Sequence, residues 1–228
     1  MSPGLPWLVV APQRQDDDSL KTSAWVAEKT CAQATVAPRA LLGERAVRAT
    51  VEATLGETPC AGVAFFGHGQ ADRLLDAACA PGTAESALLD VDNAHRLAGC
   101  WIHAFACLSG QLLAHRAVLR GVEIYVGYHR PLDVGWACPP PAEERFIALA
   151  TAVTLALQAG ERDARTLRAL ASTAADSFIE ALLAVPHPEE IVGWMWLHKL
   201  AQDLVDSLVV VHHAGPAAVD EAGRPIGR

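Results

Sequence analysis

The sequence predicts an α/β/α sandwich with a mostly parallel sheet, and three observations carry that prediction. Apolar runs at residues 5–11, 60–66, 100–107 and 122–128 read as strands buried on both faces. Stretches with helical spacing separate them, as the crossover between parallel strands requires. The chain has 228 residues, 51% of them hydrophobic, so one domain can bury about 70% of its unfolded surface without a disulfide or structural metal.

In chain order, residues 5–11 (LPWLVVA) form the first strand, and a polar, Asp-rich loop follows at 13–19. Helical spacing covers residues 23–31 and, more strongly, 39–55. In the second stretch Leu41, Leu42, Ala46, Val47, Thr50, Val51 and Leu55 recur at three- and four-residue steps and Gly56 supplies the stop. Residues 60–66 (CAGVAFF) read as a central strand that breaks into Gly67-His68-Gly69. The stretch 70–93 is expected to hold a hairpin turning at Pro81-Gly82, followed by a short helix at 92–98. Residues 100–107 (CWIHAFAC) are the next strand, Leu108-Ser109-Gly110 turns it into a helix over 111–120, and 122–128 (VEIYVGY) is another strand. Past Pro139-Pro140-Pro141 the chain becomes Ala- and Leu-rich, with helices expected at 142–159, 163–185 and 188–206. Residues 208–211 (LVVV) are either the end of the last helix or a late strand. The domain is expected to span residues 1–213, and 214–228 to be a loose Gly- and Pro-rich tail.

Eighteen basic against 26 acidic side chains give a formal charge of −8 and a pI near 5.5. No block of Lys and Arg is present to displace phosphate counterions, so no nucleic acid partner is expected. No apolar run reaches the roughly 18 residues that span a bilayer, and residues 1–7 lack the basic and apolar regions of a secretory signal, so no membrane partner and a cytoplasmic location are expected. Cys31, Cys60, Cys79, Cys100, Cys107 and Cys138 form no C-x-x-C pair. Cysteines scattered in this way read as small buried hydrophobes, except where the surroundings generate thiolate.

Two strand ends present reactive side chains, His68 in FGHG and Cys107 in ACLSG. The carboxyl ends of neighbouring parallel strands share one edge, which is also where ligands bind, so residues 39 apart in sequence are expected to meet there. A thiol of ordinary pKa is only a few per cent ionised at neutral pH, and a neighbouring imidazole raises that fraction or later protonates a leaving amine. Gly69 lets backbone N–H groups approach a developing oxyanion with no Cβ in the way.

The pair GHG and ACLSG resembles the elements of caspase-like (clan CD) cysteine peptidases, and is most similar to those of the CHAT domain family, related to caspases, metacaspases and separase. The similarity covers roughly residues 60–170, including residues 121–128, Asp133, Ala137, Phe146 and a helix broken at Gly160. The resemblance implies His68 as general acid/base, Cys107 as nucleophile, and the backbone N–H groups of Gly69 and Cys107 as oxyanion donors. It implies endopeptidase cleavage of a protein substrate with no metal and no cofactor. CHAT-like chains often come joined to repeat or sensor modules, which implies regulation by a protein partner, and by analogy a setting such as bacterial antiviral defence. Metacaspase-like members that cut after Arg or Lys carry an acid two positions before the cysteine, where Phe105 stands here. Asp133, similar in placement to an acidic residue in some CHAT proteins, is the candidate S1 carboxylate.

Two other readings stand beside this one. The first is a catalytically silent caspase-like interaction module. The second is a class I glutamine amidotransferase-like hydrolase, since CLSGQLLA resembles that family's nucleophile turn and His187-Pro188-Glu189 its His-Pro-Glu element. Phe105 and Ser109 stand where that family prefers glycines, and its approach to His-Pro-Glu should be rich in strand, whereas 163–185 reads as helix. His95, His103, His115 and His129 read as core or surface imidazoles, and His212-His213 have no carboxylate or cysteine at metal-ligand spacing. The stripe Val192, Trp194, Met195, Trp196, Leu197, Leu200, Leu204 fits helical core packing, and any exposed part of it would mark a partner surface.

Overall fold

The structure is a computed structural model describing residues 5–14, 16–77, 86–134, 138, 140–185, 191–214 and 217–219. Its elements are β1 (Leu8–Ala11), α1 (Asp18–Gln33), β2 (Arg39–Leu42), α2 (Arg48–Glu57), β3 (Gly62–Phe66), β4 (Arg73–Leu75), β5 (Ala87–Asp90) and β6 (Trp101–Phe105). Then come α3 (Leu112–Leu119), β7 (Ile124–Tyr128), α4 (Pro140–Gln158), α5 (Ala164–Leu183), α6 (Ile191–Asp206), β8 (Leu208–Ala214) and β9 (Ala217–Val219).

Seven strands pair in the order β2-β1-β3-β6-β7-β8-β9. The first five run parallel, and β8 and β9 are antiparallel additions. The predicted three-layer α/β/α arrangement with a helix-rich C-terminal half is therefore the observed one. Alternate residues of each strand feed two separate cores, because successive side chains point to opposite faces. Trp7, Val9, Ala64, Phe66, Trp101, Phe105, Ile124 and Val126 pack with α1, α4, α5 and α6, while Leu8, Val10, Val63, Phe65, Ile102, Ala104 and Tyr125 pack with α2, α3 and the β4–β5 hairpin.

The helix expected at 39–55 is two elements. Arg39–Leu42 is a parallel edge strand against β1, a 3-10 turn at Gly43–Arg45 follows, and α2 begins only at Arg48. Leu41 and Leu42 fit a helical stripe in sequence, but pairing with β1 and the φ of +62° at Gly43 override it. The β4–β5 hairpin is present, and its turn at Pro81-Gly82 lies outside the described residues. The short helix expected at 92–98 is present as a 3-10 helix at Ala94–Leu97. LVVV is strand, the start of β8, and Ala217–Val219, read as loose tail, pairs with His212–Ala214 of the same strand as β9.

His103, in the middle of β6, is fully buried between Thr154 Oγ1 at 2.6 Å and the Tyr128 hydroxyl at 3.3 Å. Burial drives its pKa down to about 3, so it is a neutral core group. Among the described residues no helix is long and apolar enough to cross a membrane.

Candidate active site

β3 and β6 are neighbouring parallel strands in which Phe66 pairs with Phe105, so the turns carrying His68 and Cys107 leave the sheet side by side. The Gly67 N–H reaches across to the Phe105 carbonyl at 3.3 Å. On its other side the GHG turn is hooked to β4: the Leu75 N–H donates to the His68 carbonyl at 3.0 Å and the Gln70 N–H to Arg73 at 2.9 Å. Gly69 bridges Leu74 between these two bonds, so its own amide is turned out of the ladder. A Cβ on Gly69 would lie 2.6 Å from the Cys107 carbonyl oxygen. The two turns touch, and only glycine fits between them.

The Cys107 turn is knitted by Ser109, which is fully buried. Its hydroxyl donates to the Ala106 carbonyl at 2.8 Å, shared with Ala104 at 3.0 Å, and accepts the Tyr128 N–H at 3.2 Å. Leu108, directly after the cysteine, has a φ of +57° and is the only non-glycine residue in the left-handed region among those described. That conformation costs about 1 kcal/mol and is retained where surrounding bonds over-determine it, a pattern concentrated at functional sites.

The imidazole and the sulfur each have a separate anchor. His68 Nε2 donates to Asp17 Oδ2 at 2.7 Å, while the other carboxylate oxygen, Oδ1, caps α1 by accepting the Leu20 N–H at 3.0 Å. Burial alone would raise the Asp17 pKa, but the bonds from His68 and Leu20 outweigh it and hold the carboxyl below its ordinary value. The Cys107 sulfur accepts the Leu132 N–H at 3.2 Å and faces the Leu132 carbonyl at 3.5 Å. Burial pushes this thiol up, the Leu132 amide offsets part of that, and Asp133 adds to the rise. Cys107 at rest is therefore a protonated thiol that needs a base. With Nε2 committed to Asp17, the free lone pair of the neutral imidazole is on Nδ1.

Asp133 is exposed beside Leu132 on a cavity of about 330 Å³, with Trp196, Lys199, Leu200 and Asp203 opposite on α6. Asp203 is ion-paired to Lys199 and, at 3.7 Å, to Arg130. The α6 stripe divides as an amphipathic helix does: Leu197, Leu200 and Leu204 are buried, whereas Met195 and Trp196 are exposed.

Asp17 was invisible as a site residue in the sequence. In the sequence it reads as part of the polar, Asp-rich loop at 13–19, whereas α1 starts at Asp18 with Asp17 as its cap, and nothing local connects it to a histidine 51 residues away. His187, Pro188 and Glu189 lie outside the described residues, and the segment leading to them is helix α5 rather than strand. No grouping of metal-ligating side chains occurs among the described residues.

No protein-family model matches the chain, and no curated protein matches it in sequence.

Proposed function

We propose that this chain is a caspase-like cysteine endopeptidase in which Asp17, His68 and Cys107 act in series. The observation that carries the reading is the contact of two turns at the carboxyl ends of β3 and β6, one bearing a carboxylate-anchored imidazole and the other a thiol. Nδ1 of His68 takes the thiol proton, and the thiolate attacks a peptide carbonyl. The Gly69 and Cys107 amides receive the developing oxyanion. The imidazolium, stabilised through Nε2–H by Asp17, then protonates the leaving amine, and water hydrolyses the thioester. Asp133, next to the sulfur's backbone clamp, is the S1 carboxylate in this reading and favours a cationic P1 side chain. A protein substrate, a regulatory protein partner, cytoplasmic location and a role in bacterial defence belong to the same proposal.

The test is to incubate the purified chain with a peptide library and a peptidyl acyloxymethyl ketone, and to read cleavage and adducts by mass spectrometry. Cleavage lost in Cys107→Ala and His68→Ala, together with an adduct on Cys107, is the expected result. Cleavage that survives Cys107→Ala sinks the reading.

One observation favours a silent module on the same scaffold: the sulfur's hydrogen bonds run to Leu132 and the imidazole's to Asp17, leaving the thiol protonated. A Cys107→Ala chain that performs the full cellular task decides for that alternative.

A further inference from the structure

At the opposite edge of the sheet, the same two strands bring two more thiols together. Cys60 precedes β3 and Cys100 precedes β6. The ladder that pairs Gly62 with Trp101 closes the Trp101 N–H on the Ala61 carbonyl at 3.1 Å and fixes the two residues side by side. Cys100 Sγ donates to the Cys60 carbonyl at 2.9 Å and Cys60 Sγ sits 2.9 Å from the Gly62 carbonyl, so the Cys100 side chain lies directly against Cys60. Cys100 is 5% exposed. Cys60 is half-buried and lines an open cavity of about 180 Å³ together with Pro6, Leu8, Thr54 and Pro59. Two cysteines that look unrelated in sequence are thus a contact pair with one member open to small solutes.

We propose that Cys60 and Cys100 form an oxidisable dithiol, in which a hydroperoxide reaches Cys60 through this cavity and Cys100 closes a disulfide. The Cys60 sulfur attacks the peroxide oxygen, the O–O bond breaks, and an alcohol, or water when the oxidant is hydrogen peroxide, leaves with the thiol proton. Cys60 becomes a sulfenic acid. The Cys100 sulfur then attacks the Cys60 sulfur, the S–O bond breaks, and water leaves with the second thiol proton. In sum, two thiols are oxidised and one hydroperoxide is reduced. The division of labour follows the surroundings. The Cys100 S–H and the Leu8 N–H stabilise a Cys60 thiolate and lower its pKa despite burial, whereas Cys100 is raised. The bond would tie together the starts of the two strands whose far ends carry His68 and Cys107.

The test treats the purified full chain with hydrogen peroxide, blocks remaining thiols with N-ethylmaleimide, and maps non-reduced peptides by mass spectrometry. A Cys60–Cys100 linked pair two hydrogens lighter than its separate peptides, reversed by dithiothreitol, is expected. It forms equally in Cys107→Ala, so its success or failure is independent of the peptidase reading. In Cys100→Ser the reaction stops at a Cys60 sulfenic acid that dimedone traps. Both residues still carrying maleimide while Cys31 or Cys107 is oxidised overturns the proposal, as does a cross-link from Cys60 to any other cysteine. The linked peptide is read in the unaltered chain, so a serine variant that does not fold leaves the test intact.

Discussion

The two ends of the β3–β6 pair hold thiols under opposite influences. At the carboxyl end, burial and Asp133 push Cys107 up and a single Leu132 amide opposes them. At the amino end, an S–H from Cys100 outweighs burial and pulls Cys60 down. The same strands and the same functional group thus give one sulfur whose thiolate its surroundings disfavour and one whose thiolate they favour. The sheet determines where each thiol sits, and the two or three groups touching it determine what it does.

Replacing the sulfur at one end and then at the other gives the largest expected contrast. Cys107→Ala should lower peptide cleavage by at least about 10³-fold, whereas Cys60→Ser should leave the rate unchanged. A Cys107→Ala enzyme that still cuts removes the distinction. Asp17→Asn should cost about 100-fold in kcat/KM, because the anion supporting the imidazolium is gone. Asparagine still caps α1, so urea unfolding should change by less than about 1 kcal/mol; an equal loss of rate and stability would make Asp17 structural only.

The imidazole in the middle of β6 extends the predictions to pH. His103 has a folded pKa of about 3 against 6.5 for the free side chain. Its contribution is therefore complete above pH 6.5 and is lost as pH falls from there toward 3. At pH 4.5 the unfolding free energy should be lower by roughly 2–3 kcal/mol than at neutral pH, and His103→Gln should flatten that slope in paired urea titrations. Gly69→Ala probes the contact of the rim turns: with 2.6 Å to the Cys107 carbonyl, it should cost about 1–3 kcal/mol in urea unfolding and slow cleavage as well. The smallest effect is kinetic order in alkylation. Iodoacetamide should modify Cys60 ahead of Cys107 at pH 7, and the Cys107 rate should go on climbing beyond pH 9.0, since its folded pKa lies above that value. Reversed order, read by timed peptide mapping, contradicts the assignment of the two environments.

Most of the architecture was legible in the sequence because buried parallel strands are short unbroken apolar runs, and residues 60–66, 100–107 and 122–128 all fold that way. That the turns bearing His68 and Cys107 lie side by side followed from the same logic, since turns leaving neighbouring parallel strands share a rim. What escaped had no local signal. β2 hid within a helical stripe because a four-residue edge strand holds too few side chains to show its own period. Asp17 presented itself only as one residue of a polar, Asp-rich loop. The Cys60–Cys100 contact depends on a strand register that spacing does not encode.

β8 alone reverses direction against β7, placing Leu208 opposite Tyr128. That reversal delivers the last turns of α6 to the rim where Cys107 sits, so Trp196, Lys199 and Asp203 face Asp133 across one cavity. Run in the parallel sense, the strand would have begun at the far edge and carried the helix away with it. A late segment of the chain is thereby made one wall of a cleft whose other wall is laid down much earlier, and truncation before α6 would leave that cleft half built.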